Sequence, residues 1–152
     1  RFESCQACFF ERNKMKYLGK APMNHRMRYF LWNINRRINE WEKKGNKPDH
    51  MLVSDIDADF LEELWERQNG RCVYQPTKKL ILPDYPKDRT QHWSVDSLLN
   101  ASLDRINADI GYKKTNVQFV TKSNNGAKMQ IEARASSRPL AHKMLLEYYQ
   151  ND

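Results

Sequence analysis

Between Asn24 and Lys44 the apolar residues Met27, Phe30, Leu31, Ile34, Ile38 and Trp41 recur at steps of three and four. At 3.6 residues per turn these positions form one stripe, so the segment reads as a long amphipathic helix. Its other face carries Arg26, Arg28, Arg36, Arg37, Lys43 and Lys44, and Gly45 to Pro48 breaks the period as a linker. Asp59 with Glu62 three residues on has capping-box spacing, and Leu61, Leu64 and Trp65 predict a second helix that stops at Gly70. The proline-bearing stretch from Pro76 to Gln91 keeps no period and reads as a surface excursion. Ala101 to Ile106 reads as a short strand, and Asn107 to Lys114 as a turn containing Gly111. Asn116 to Thr121 follows as a second strand, alternating Val117 and Phe119 with polar neighbours. Ser123 is placed to cap a helix through roughly Arg134, and Ser137 with Pro139 to open a last helix carrying Leu140, Met144, Leu145 and Tyr148.

This order predicts an α+β fold: a small hairpin-plus-helix core with several additional helices. A chain of 152 residues is about one domain. Residues 1–20 hold a cysteine pair, 21–50 the basic helix and its linker, 51–135 the core, and 136–152 the C-terminal helix.

Charge changes the picture. Lysine and arginine number 26 against 19 acidic residues, a net charge of +7, with a pI near 9.4. Such a surplus attracts polyanions, which makes nucleic acid the leading partner. The face bearing Arg28, Arg36, Arg37, Lys43 and Lys44 is the expected surface for a phosphate backbone. No apolar run approaches the roughly 18 residues that cross a bilayer, and no charged-then-apolar leader opens the chain. A soluble, non-secreted protein without membrane contact is expected. Three cysteines without a secreted spacing point to a reducing compartment.

Within the core, Asp104 lies on the first strand, Asn116 opens the second, and Asn125 and Lys128, three apart, share a helix face. If that helix packs across the hairpin, the Asp104 carboxylate and the Asn125 amide oxygen converge as hard ligands. Such a pair suits magnesium, which keeps several waters and takes few protein ligands. An ion held there can polarise a phosphodiester.

The run SLDRINADIGYKKTNVQFVTKSNNGAK from Ser102 to Lys128 resembles the core of phage and bacterial HNH endonucleases, the ββα-metal or His-Me finger class. The preceding LWERQNGRCVY, Leu64 to Tyr74, is similar to the segment ahead of that core in phage-type members. The resemblance implies a metal-dependent endonuclease that hydrolyses phosphodiester bonds in DNA, probed first as double-stranded DNA, with Mg2+ or Mn2+ as cofactor. It implies that Asp104 and Asn125 ligate the metal, that Asn116 braces the loop between the strands, and that Lys128 lies near the substrate phosphate. Residues 51–135 are then the nuclease core. The setting it implies is the cytoplasm or nucleoid of a bacterial or virus-infected cell.

One position departs from the family. Where its general-base histidine follows the aspartate, this chain has Arg105, in an LDRI variant that recurs in the family. A guanidinium stays protonated and is a poor proton acceptor, but its planar fork suits a phosphate clamp. His92, just upstream of the first strand, is the candidate acceptor in its place. His25, His50 and His142 read as helix or linker surface. Cys5 and Cys8 form half of a tetrahedral zinc site; in similar phage proteins such a pair is the second half of a zinc knuckle, its first half expected ahead of Arg1 and its metal a structural Zn2+. Cys72 reads as a buried small hydrophobe. The alternative function is a catalytically inactive nucleic-acid-binding module on the same scaffold.

Overall fold

The computed structural model of the chain describes residues 23–82, 98–134 and 136–151, apart from the side chains of residues 24 and 25. Helix α1, Met23–Lys44, forms where the apolar period places it. Met27, Phe30, Ile34 and Ile38 are buried along its inner face, and Leu31 and Trp41 pack partly buried beside them. Each such side chain contributes on the order of 1.5–3 kcal/mol by leaving water. The helix ends at Gly45, whose φ of 60° lets its N–H turn back to the Trp41 carbonyl at 3.0 Å.

Helix α2 spans Ala58–Arg67, and its cap is Asp57 rather than the expected Asp59. Asp57 is extended, and its carboxylate accepts the Phe60 N–H at 2.7 Å, while Asp59 already lies in the first helical turn. Asp57 also pairs with Lys114 in the loop between the strands. At the far end the Gly70 N–H returns to the Trp65 carbonyl at 3.0 Å. A side chain at Gly70 would meet the Trp65 ring at 3.1 Å.

Strands β1, Ala101–Arg105, and β2, Val117–Thr121, form an antiparallel pair with Asp104 opposite Gln118 and Leu103 opposite Phe119. The sequence alternation suggested that β2 keeps one wet face, yet all five of its residues are buried. On one face Phe119 meets Phe30 and Trp65 edge to face, with ring centroids 5.1 and 5.3 Å away. The other face is covered by helix α3, Lys122–Glu132, and His142 of helix α4, Ala141–Gln150, reaches Gln118 at 3.3 Å. Gln118 is therefore a buried polar residue.

Helix α3 is capped by Thr121, not by Ser123: the Thr121 hydroxyl accepts the Asn124 N–H at 3.1 Å. Ser123 lies one residue inside the helix, and α3 ends at Glu132, short of Arg134. A 3-10 turn, Arg138–Leu140, containing Pro139, leads into α4, and the Ser137 side chain makes no cap. Ala141 and Leu145 are the buried residues of α4. Leu146 and Tyr149 pack against the core, whereas Leu140, Met144 and Tyr148 face outward.

The architecture is α+β: four α-helices and a two-stranded antiparallel sheet among the described residues. One hydrophobic cluster joins α1, α2, the hairpin and Leu145. Among the described residues no helix is long and apolar enough to cross a membrane.

Asp57→Ala removes both the α2 cap and the Lys114 partner, and is expected to lower stability, as the loss of a helix cap does. Urea unfolding measures the difference. Asp57→Asn, which caps equally well, should retain most of the stability.

Candidate functional site

A cleft of about 520 Å³ runs along β1. Its walls are Asn33, Arg36 and Arg37 of α1, the β1 residues Ala101 to Arg105, and Lys122, Asn125, Met129 and Glu132 of α3, with Arg138 at one end. Successive strand residues point to opposite faces, so Asp104 faces α3 and Arg105 faces α1.

The Asp104 carboxylate is fully engaged. Oδ1 accepts from Lys128 Nζ at 2.9 Å, and Oδ2 accepts from Tyr74 Oη at 3.1 Å and Gln118 Nε2 at 2.9 Å. The pair is deeply buried, with Lys128 1% and Asp104 4% exposed. An ammonium has three protons to place. Here Asp104, the Glu132 carboxylate at 3.3 Å and the Arg105 carbonyl surround it. Removing one partner from a buried pair of this kind costs on the order of 3–5 kcal/mol, because the other charge is stranded.

The network continues outward. Tyr74 Oη donates to Asp104 and accepts from Gln118 Nε2 at 2.9 Å. His142 Nδ1 lies 2.9 Å from Tyr74 Oη and 3.3 Å from Gln118 Nε2. Burial, and after it the negative Asp104, push the Tyr74 phenol up, so it stays protonated. Burial, with the Lys128 charge adding to it, pulls the His142 pKa below its ordinary value. His142 is thus no surface histidine, as its helix context suggested, but half-buried against Tyr74.

Arg105 lies against two rings. Its guanidinium carbon lies 4.8 Å from the Trp41 ring centre and 5.2 Å from that of Tyr112. These rings themselves stack 5.9 Å apart. One guanidinium N–H is given to the Ala108 carbonyl at 2.8 Å. Burial lowers the Arg105 pKa, and the Arg37 charge acts in the same direction, yet a guanidinium remains a cation. Arg138 adds an Nε that is buried with no hydrogen-bond partner among the described residues.

Asn116 stands outside the cleft wall, within the hairpin loop. Its Oδ1 accepts from Asn107 N–H at 2.9 Å, and its Nδ2 donates to the carbonyls of Asn107 and Gly111, each at 2.8 Å. It thereby ties the two ends of the loop together. Asn125 sits on the cleft wall and donates to Ser102 Oγ at 2.7 Å. Cys72 is buried, as expected, and accepts a weak hydrogen bond from Asn124.

The structure therefore gathers Asp104, Arg105, Asn125 and Lys128 with Arg36 and Arg37, while Arg28, Lys43 and Lys44 are exposed on α1 away from the cleft. His92, Cys5 and Cys8 lie outside the described residues. Sequence reasoning missed Tyr74, Gln118, Glu132 and His142 as members of the network. The usable signal was Glu132, four residues after Lys128 and so on its helix face. Compared with protein-family models, curated proteins and solved structures, the chain has no match in any of the three.

As to a divalent cation, Asp104 and Asn125 offer hard oxygens on one cleft wall. The Lys128 ammonium itself occupies a cage of oxygens from Asp104, Glu132 and the Arg105 carbonyl. Among the described residues no group of three or more His, Cys, Asp or Glu side chains forms a metal cluster. The donor type suits magnesium or manganese, which need few protein ligands.

His142 resists protonation in the folded protein, whereas in the unfolded chain it titrates near pH 6.5. Below that pH the unfolded state binds the extra proton first, so stability is lost as pH falls from about 6.5 through the depressed folded value. Urea midpoints between pH 5 and 8 should show this component in the wild type and lose it in His142→Asn. Identical pH profiles for the two proteins would remove His142 as its source.

Proposed function

We propose that this chain is a metal-dependent endonuclease of the ββα-metal type that hydrolyses phosphodiester bonds in DNA. The observation that carries the proposal is the composition of the cleft. Arg36, Arg37, Arg105, Lys122 and Arg138 line it, Arg138 with Asp109 as its ion-pair partner at 3.0 Å, beside the carboxylates of Asp104 and Glu132, both of which are answered by buried Lys128. Cations drawn from four separate parts of the fold repel one another, and an anion between them relieves that repulsion. A phosphodiester backbone is an anion that such a basic cleft suits.

Under this reading Arg105 clamps the phosphate. Its contacts with the stacked Trp41–Tyr112 pair and the Ala108 carbonyl restrain the guanidinium, so less freedom is lost when it grips an oxyanion. Arg36 and Arg37 position the backbone from the α1 side. Asn116 keeps the hairpin loop closed beneath Tyr112. Asp104 and Asn125 would hold Mg2+ or Mn2+, which when bound supplies Lewis-acid stabilisation of the developing charge.

A second reading, binding without cleavage, is favoured by the saturation of Asp104. Its hydrogen-bond partners among the described residues are all internal, and one of them is an ammonium.

Plasmid cleavage in Mg2+ or Mn2+ separates the two. The nuclease reading expects cleavage that is lost in chelator and in Asp104→Ala, while the binding module expects retention of plasmid in gel shifts with no nicking. Arg105→Lys should lose at least about tenfold in single-turnover rate, since a point charge cannot replace the fork. Arg105→His should add an ionisation near neutrality to the pH profile.

Binding itself is checked by salt. On duplex DNA, log affinity should fall against log salt by about 0.9 for each phosphate neutralised. Arg36→Glu with Arg37→Glu should flatten that slope by one to two contacts' worth. An unchanged slope would mean that α1 does not touch the backbone.

A further inference from the structure

We infer that Lys128 is a built-in counter-cation that keeps the Asp104 carboxylate closed in the free protein, and that nucleic-acid phosphate in the cleft draws the ammonium away, so that phosphate and divalent ion load together. The inference rests on the proposed phosphate-and-metal reading and adds to it an order of events.

The geometry of the cage is the starting point. Lys128 Nζ lies 2.9 Å from Asp104 Oδ1 and 3.3 Å from Glu132 Oε1, and donates to the Arg105 carbonyl. Any ion coordinated by Asp104 Oδ1 would share that oxygen with a unit positive charge. Asp104 Oδ2 is no escape, because Tyr74 and Gln118 already donate to it. In the free protein the ammonium and a divalent ion therefore compete for one carboxylate.

Lys128 also has somewhere to go. All three residues of its cage line the cleft, although Lys128 itself does not. The ammonium thus sits directly behind the cleft wall, on a flexible four-carbon stem with three rotatable donors. Asn125, one turn away on the same helix face, is already at the wall. A phosphate oxygen in the cleft offers the ammonium a new anionic partner. Each ligand then favours the same rearrangement, and coupling of this kind is reciprocal, typically about 5–150-fold in affinity.

The test titrates Mn2+ alone into the protein, with free Mn2+ followed by electron paramagnetic resonance. Wild type, Lys128→Met and Lys128→Met with Asp104→Asn are compared, then repeated with a phosphorothioate duplex. We expect Lys128→Met to bind Mn2+ at least about tenfold more tightly than wild type, and the Asp104→Asn change to abolish that gain. The duplex should tighten Mn2+ binding by about tenfold in wild type, an effect Lys128→Met no longer shows. Equal Mn2+ affinity in wild type and Lys128→Met overturns the inference.

If circular dichroism shows that Lys128→Met does not fold, the wild type decides. The duplex must then tighten Mn2+ binding in wild type and not in Asp104→Asn, and absence of that difference overturns the inference. Failure of the parent reading looks different. Coupled binding of Mn2+ and duplex without plasmid nicking sinks the nuclease and keeps the counter-cation, whereas nicking with Mn2+ affinity indifferent to Lys128 does the reverse.

Discussion

A charge removed from water must be met by another charge or by converging hydrogen bonds, and the region around β1 is organised by that requirement at Asp104. One carboxylate, 4% exposed, is answered by an ammonium that is 1% exposed, and every further polar group nearby is placed by the need to complete the set. Gln118 faces Asp104 across the hairpin because the strand register puts it there. Tyr74 closes the second oxygen and hands the network on to His142. The result pins α3 and α4 to the hairpin through polar contacts, where the opposite face is held by the aromatic contacts of Phe119 with Phe30 and Trp65.

The alternation of a β-strand separates two adjacent residues of opposite charge. Asp104 is directed to the α3 side and is neutralised there, while Arg105, the next residue, is directed to the α1 side and is held by Trp41 and Tyr112. Aromatic faces attract a guanidinium without cancelling its charge, so Arg105 remains available to an anion. Neutralised acid on one side and unneutralised base on the other give the cleft its sign. The same division separates the two roles in the proposed chemistry: cations that receive the phosphate, and a carboxylate kept in reserve behind Lys128.

The hairpin loop joins these halves. Asn116 fastens its two ends with three hydrogen bonds. Gly111, at φ 89°, passes so close to Met51 that a side chain would lie 3.1 Å from its backbone. This close approach sets Tyr112 against Trp41, and hence the ring pair that holds Arg105. A local turn residue thereby controls the orientation of a side chain on a different element.

Sequence periodicity by itself determined the helix α1, the hairpin, the helix that follows it and the α+β class, because those features depend on spacing within a few residues of the chain. It also placed Asn125 and Lys128 on the helix face turned to the strand of Asp104. Cap positions slipped by two residues at Asp57 and Thr121, since several neighbouring Asp, Ser and Thr residues offer equivalent oxygens and only the entering backbone direction selects among them. Of Leu140, Met144, Leu145 and Tyr148, the chain alone did not say which turn inward; only Leu145 is buried, and the other three are exposed. Tertiary structure alone decided that β2 is buried on both faces, that Glu132 and the Arg105 carbonyl complete the cage of Lys128, and that Tyr74 and His142, 68 residues apart, meet over Asp104. The physical reason is that side-chain partners in a polar network are chosen by distance in space, and contacts between residues so far apart along the chain leave no period in it.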